Sequence, residues 1–211
     1  MLIPISEILQ KYNLHPKGIL HVGAWDGIEM YDYIAQGVDN VIFIEAQAII
    51  FPTLRGRIAP YPKCKALQYC VSDKMEEVKF QITSNGQSSS ILELGTHKDV
   101  HPEVTLEREL IMQTATLAQI FNWEKLDIVQ YDFVNMDIQG AELKAIKGMG
   151  NMIEKINAFY LEVNAHELYK GCALVQEIDE YLSRFGFERV ETKWASTDNV
   201  LGWGDALYLK K

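Results

Sequence analysis

One short stretch, HVGAWDG at residues 21–27, constrains this chain more than any other. It closes an apolar run, GILHVGA (18–24), and Gly23 and Gly27 bracket the turn that follows. Glycine lets a backbone turn sharply and lets a ligand approach it closely. A helical pattern, IEMYDYIAQG (28–37), comes next and is closed by Gly37; NVIFIEA (40–46) then runs nearly continuously apolar. Such a run marks a parallel strand covered on both faces. Strand, glycine turn, helix and strand begin a mostly parallel, doubly wound α/β sheet with right-handed crossovers.

The remaining chain extends the alternation. CKALQYCVSD (64–73) and EEVKFQIT (76–83) read as the third and fourth strands, the latter with one solvated face. Residues 84–112, which include SNGQSSSIL, show no clear period and read as a long loop or lid with a short helix. ATLAQIF (115–121) reads as a short helix, DFVNMDI (132–138) as a strand entering the helix GAELKAIKGM (140–149), and NAFYLEVN (157–164) as a further strand. LVQEIDEYLSRFG (174–186) sets Leu174, Ile178, Tyr181, Leu182 and Phe185 on one helical face before Gly186. FERVETKW (187–194) and DALYLKK (205–211) read as an antiparallel pair. At the start, Ile5, Ile8, Leu9 and Tyr12 fall at helical spacing, with Ser6 as the expected cap. No linker divides the chain, so residues 1–211 read as one domain.

Composition narrows the partners. With 48% apolar and 23% charged residues the chain is an ordinary globular sequence. Its formal charge of −9 opposes a general grip on nucleic acid or an anionic membrane. Cys64, Cys70 and Cys172 are odd in number and lack zinc-ligand spacing, so they read as reduced thiols. MLIPISEILQKYN has no basic region before a long apolar run, and no apolar stretch approaches the ~20 residues that span a bilayer. The expected location is the cytoplasm.

In doubly wound sheets ligands sit beyond the carboxyl ends of the strands. Three features converge there. His21, Gly23, Ala24, Asp26 and Gly27 form the first turn. Glu45, followed by Ala46, ends the next strand 18 residues after Gly27, where an acid can accept both ribose hydroxyls of an adenosine. Ser72 and Asp73 end the following strand, within reach of an adenine edge. A nicotinamide dinucleotide needs its pyrophosphate against the glycine turn, but this turn carries Asp26 and Glu29. S-adenosylmethionine (SAM) has no phosphate, and its ammonium and sulfonium tolerate carboxylates. Farther on, Asp137 ends a strand on the same sheet edge, Gly140 turns the chain, and Glu142 opens a helix. These two acids read either as cap and dipole partner or as working groups.

Together HVGAWDG (21–27), FIEA (43–46), VSD (71–73), NGQSSSIL (85–92), MDIQGAELKAIKG (136–148) and LEVNAHELYKG (161–171) resemble the FkbM-type SAM-dependent methyltransferases over most of the chain. The D-x-Q-G-x-E-L…K-G segment is the most specific carrier. The resemblance implies a class I methyltransferase fold, a Rossmann-like three-layer sandwich of seven strands with an antiparallel C-terminal hairpin. It also implies methyl transfer to oxygen on a sugar, glycan or other small molecule, with S-adenosylhomocysteine as product. Many members begin the turn Asp-Val-Gly-Ala-Asn; here His21 and Trp25 replace the Asp and Asn, and Asp26 or Asp137 takes the SAM ammonium.

A hydroxyl acceptor must lose its proton. Asp137 and Glu142 are the first candidates to take it, His97 the second, and His166 carries similar weight to His97. Gln87, Ser88, Ser89 and Ser90 are candidates for the acceptor pocket or for a local turn. Asp137, Glu162 and Asn164 offer oxygen ligands that suit Mg²⁺, but strand-end acids and amides more commonly just cap the following helix, so no metal is expected. The competing readings are an NAD(P)-dependent oxidoreductase and a noncatalytic SAM-binding scaffold. The acidic turn and the lack of a catalytic Tyr/Lys or His/Asp pair weigh against the first. The joint presence of Asp137 and Glu142 weighs against the second.

Overall fold

The computed structural model describes residues 2–196 and 202–211. A seven-stranded sheet forms its centre. The strands at its heart are β1 (Ile19–Val22), β2 (Val41–Glu45), β7 (Phe133–Met136) and β8 (Ala158–Asn164), and every residue in all four is buried. That explains their unbroken apolar spelling. β3 (Lys65–Gln68) forms one edge, and β9 (Phe187–Trp194) and β10 (Trp203–Lys210) complete the other side, giving the order β3-β2-β1-β7-β8-β10-β9. β10 runs antiparallel to both β8 and β9. The seven-stranded class I arrangement with its C-terminal hairpin is thus present.

Helices cover both faces. On one, α1 (Ile5–Lys11), α2 (Met30–Ala35) and α3 (Phe51–Ile58) bury Ile8, Tyr33 and Leu54 against Phe43 and Phe133. On the other, α5 (Leu117–Trp123), α6 (Glu142–Lys147) and α7 (Val175–Ser183) bury Ile120, Ile146 and Ile178 against Val134, Phe159 and Leu161. Each such side chain contributes roughly 1.5–3 kcal/mol by leaving water. No helix among the described residues is long and apolar enough to cross a membrane.

Three local expectations are corrected. Ser6 lies inside α1; Pro4 is the N-cap and no side chain caps it. The expected third strand is two pieces, because the chain leaves the main sheet at Tyr69 and β4 (Cys70–Val71) pairs with a different strand. That partner is β6 (Leu106–Ala115), which occupies the end of the segment read as a loop. It pairs antiparallel with β5 (Glu77–Thr83), making a separate three-stranded sheet in the order β4-β6-β5. Between β5 and β6 lies the expected short helix, α4 (His97–Val100).

Candidate active site

The carboxyl ends of β1, β2, β7 and β8 open onto a cavity of about 530 Å³. That volume is in the range of sites for small ligands and cofactors. The first turn supplies its floor. Gly23 has φ +81, and a Cβ there would lie 1.8 Å from the backbone oxygen of Asp137, so only glycine lets β1 and β7 end this close together. Gly27, at φ +72, is fixed by Leu54, whose Cδ1 would sit 2.5 Å from an added Cβ.

Glu45 is held at the end of β2. It is buried; its Oε2 accepts from the backbone N–H of Trp25 and its Oε1 from that of Gln47, both at 2.8 Å. Burial raises its pKa above the usual carboxylate range. Gln47 donates to the Gly86 oxygen at 3.0 Å, while its buried Oε1 has no partner among the described residues. Glu45 and Gln47 both line the cavity. Both retain acceptor capacity on the cavity side. Tyr69, Cys70, Val71 and Phe80 form an adjacent, mostly apolar wall. Ser72 and Asp73 are not among the lining residues, and Ser72 Oγ donates to Asp73 at 3.1 Å.

The replaced residues of the turn are accounted for locally. His21 is buried, with Nδ1 3.2 Å from the Tyr33 hydroxyl and its ring against Phe43. Burial lowers its pKa to about 3, so the imidazole is neutral. Trp25 takes φ +47, and its ring packs so tightly on Gly86 that a Cβ there would be 2.3 Å away. Ala24 is buried beside them and Ala46 lines the cavity. Asp26 also lines it but is paired with Arg57 at 2.8 Å.

The opposite wall is acidic. Asp137 and Glu162 line the cavity and share one donor, the Gln139 side-chain amide, at 2.7 and 3.0 Å. Gln139 itself sits at φ +57, and Tyr169 donates to its Oε1. Glu142 lies behind this wall rather than on it; its Oε1 accepts from the backbone N–H groups of Ile138 (2.9 Å) and Gly140 (3.2 Å) and so fixes the turn into α6. Burial pushes Asp137 up to about 6 and Glu142 up to about 7.

The acceptor candidates divide. Gln87, Ser88 and Ser89 line the cavity. Ser90 does not; its hydroxyl donates to the Gln139 oxygen at 2.8 Å and ties the loop to the turn after β7. His97 lines the cavity, 4% exposed, its ring 5.3 Å from that of Tyr169. Its Nδ1 is buried without a partner among the described residues, and burial lowers its pKa. His166 is exposed and lies outside the cavity. Asn164 is buried at the end of β8. Sequence reasoning missed Gln47, Tyr69, Gln139 and Tyr169 as site residues. Gln139 lay within the most specific motif and Tyr169 within LEVNAHELYKG (161–171), but nothing in the sequence signalled Gln47 or Tyr69.

Among the described lining residues there are six carboxylates, Asp26, Glu29, Glu45, Glu103, Asp137 and Glu162, and no lysine or arginine. Such a cavity rejects phosphate and accommodates a cation.

Comparison with known proteins agrees with this geometry. The methyltransferase FkbM domain matches residues 18–189. The 2-O-methyltransferase NoeI of Sinorhizobium fredii is 24% identical over 176 residues, covering 79% of this chain and 71% of that protein. The SAM-bound magnesium protoporphyrin IX methyltransferase ChlM of Synechocystis PCC 6803 superposes with a TM-score of 0.52 at 11% identity, covering 98% of this chain and 76% of the other. The precorrin-6y C5,15-methyltransferase of Geobacter metallireducens GS-15 gives a TM-score of 0.51 at 10% identity, covering 97% and 86%. These structural likenesses are of fold. With the family match extending over residues 18–189, the chain belongs to the FkbM methyltransferases, SAM-dependent enzymes of the class I fold.

Proposed function

We propose that this chain transfers the methyl group of SAM to a hydroxyl oxygen of an uncharged small molecule, a sugar or glycan in particular. The observation that carries the reading is the cavity of carboxylates without lysine or arginine, which suits a sulfonium and an ammonium and disfavours phosphorylated, nucleotide-linked or nucleic-acid acceptors. NoeI is a 2-O-methyltransferase, and that supports oxygen as the accepting atom.

When bound, SAM supplies an electrophilic methyl carbon whose bond to sulfur breaks with its electron pair remaining on sulfur. Glu45 and Gln47 would hold the adenosine end, beside the wall of Tyr69 and Phe80, and the turn at Gly23 would line the methionine end. With Asp26 committed to Arg57, the ammonium would be received by the remaining acids of the lining. Gln87, Ser88 and Ser89 orient the acceptor. The acceptor O–H breaks as the oxygen bonds to the methyl carbon, and its proton passes to Nδ1 of His97. A neutral buried imidazole with an unused nitrogen suits that task. Asp137 is the alternative acceptor of that proton. Much of the rate would come from positioning and from the exclusion of water by the segment between β5 and β6.

Incubation with methyl-labelled SAM and a panel of mono- and oligosaccharides is the test. Label should appear in a base-stable ether on an uncharged acceptor, and His97→Asn should lose roughly 100- to 10,000-fold in turnover while keeping SAM affinity. Transfer only to nitrogen or to phosphorylated acceptors would contradict the reading.

A further inference from the structure

At the end of the cavity formed by β7 and β8 three carboxylates gather, and the described lining residues include no lysine or arginine. Asp137, Glu142 and Glu162 each present a carboxylate oxygen, and these atoms all lie within 4.8 Å of one another. Glu142 and Glu162 are 1% and 6% exposed, while Asp137 and Glu162 face the cavity, so the group is entered from that side. Carboxylates this close cannot all ionise unless something positive joins them. Burial raises all three above the ordinary range. The Gln139 amide, donating to Asp137 and Glu162, offsets this only in part, because it carries no charge.

A second observation falls on the same face. Asn164 stands two residues beyond Glu162 on β8, and alternation puts both side chains on one side of the strand. It is 1% exposed, yet neither its Oδ1 nor its Nδ2 has a hydrogen-bond partner among the described residues. Buried amides almost always find partners. An unpartnered amide oxygen on the same strand face as Glu162 is a hard oxygen donor.

We propose that Asp137, Glu142, Glu162 and Asn164 form a binding site for a divalent cation, Mg²⁺ or Mn²⁺. An all-oxygen donor set selects such hard ions over zinc or copper. A cation there satisfies the carboxylates and the Asn164 oxygen together. Its role, though not its binding, rests on the methyltransferase reading: an acceptor hydroxyl ligated beside Asp137 would be more acidic and would give its proton to His97 more readily.

The test is titration of the full chain with Mn²⁺, followed by the electron paramagnetic resonance signal of the free ion, with Mg²⁺ as competitor. One Mn²⁺ should bind per chain and be displaced by Mg²⁺, and binding should weaken roughly 10- to 100-fold in Glu162→Gln and in Asn164→Ala. Glu103→Gln, which alters a cavity acid outside the group, should bind as the wild type does. The wild-type melting temperature should also rise with MgCl₂, a readout that holds even if a variant fails to fold. No bound Mn²⁺, or equal binding in Glu162→Gln, would overturn the site. SAM binding measured in a chelator separates the two ideas. SAM bound without any Mn²⁺ site rejects the cation alone, and Mn²⁺ bound without SAM rejects the methyltransferase reading alone.

Discussion

Glu45 reaches across from the end of β2 to accept the backbone N–H of Trp25 at 2.8 Å, so a single carboxylate holds the first glycine turn and faces the ligand cavity. Trp25 needs that hold, since φ +47 is uncommon for a residue of its size. Turn geometry and cavity lining therefore meet in one side chain.

Glu45→Ala removes the acceptor for two backbone donors as well as the proposed ribose partner. Affinity for SAM and S-adenosylhomocysteine should fall by roughly 10- to 100-fold, and stability by about 1–3 kcal/mol, because the Trp25 and Gln47 N–H groups lose their bonds. Glu45→Gln keeps one acceptor oxygen and should fall between. Calorimetry and urea unfolding of the same preparations check both effects.

Gly23→Ala should be worse for folding than for any ligand contact. Its Cβ would meet the Asp137 backbone oxygen at 1.8 Å, and φ +81 is unfavourable for alanine. A loss of at least about 3 kcal/mol is expected, since backbone rather than a flexible side chain must yield. Unfolding midpoints measure it directly.

The first half of the sheet was legible in the sequence because fully buried parallel strands spell themselves as apolar runs. Glycines with positive φ at 23, 27, 37 and 186 marked the turns. β6 was illegible for the opposite reason. Leu106, Leu110 and Ile111 are exposed, as are Glu107, Arg108 and Glu109 among them, so no alternation survives. Ser72 and Asp73 lie off the cavity lining because the strand read as ending there leaves the main sheet at Tyr69. The acids at 45, 137 and 142 were visible at their strand and helix ends. That Glu142 would turn inward to hold backbone amides, leaving Glu162 on the cavity wall, depended on packing alone.

His21 makes stability depend on pH with a defined sign. Burial depresses its folded pKa to about 3, against about 6.5 when unfolded, so between those values the unfolded chain binds more protons. Its contribution is complete above pH 6.5 and is lost as pH falls toward 3, at up to about 1.4 kcal/mol per pH unit. His21→Phe should flatten that part of the stability curve relative to wild type. Denaturant unfolding of both proteins from pH 7 to pH 4 checks the difference, and parallel slopes would remove His21 as the cause.

Binding calorimetry with SAM, S-adenosylhomocysteine and NAD, on the wild type and on Glu45→Ala, tests the central claim most directly. The cavity described here predicts micromolar binding of SAM and S-adenosylhomocysteine, weakened in the variant, and none of NAD, whose diphosphate would face Asp26 and Glu29 without a lysine or arginine among the described lining residues. NAD binding without SAM would contradict the account and return the chain to dinucleotide chemistry.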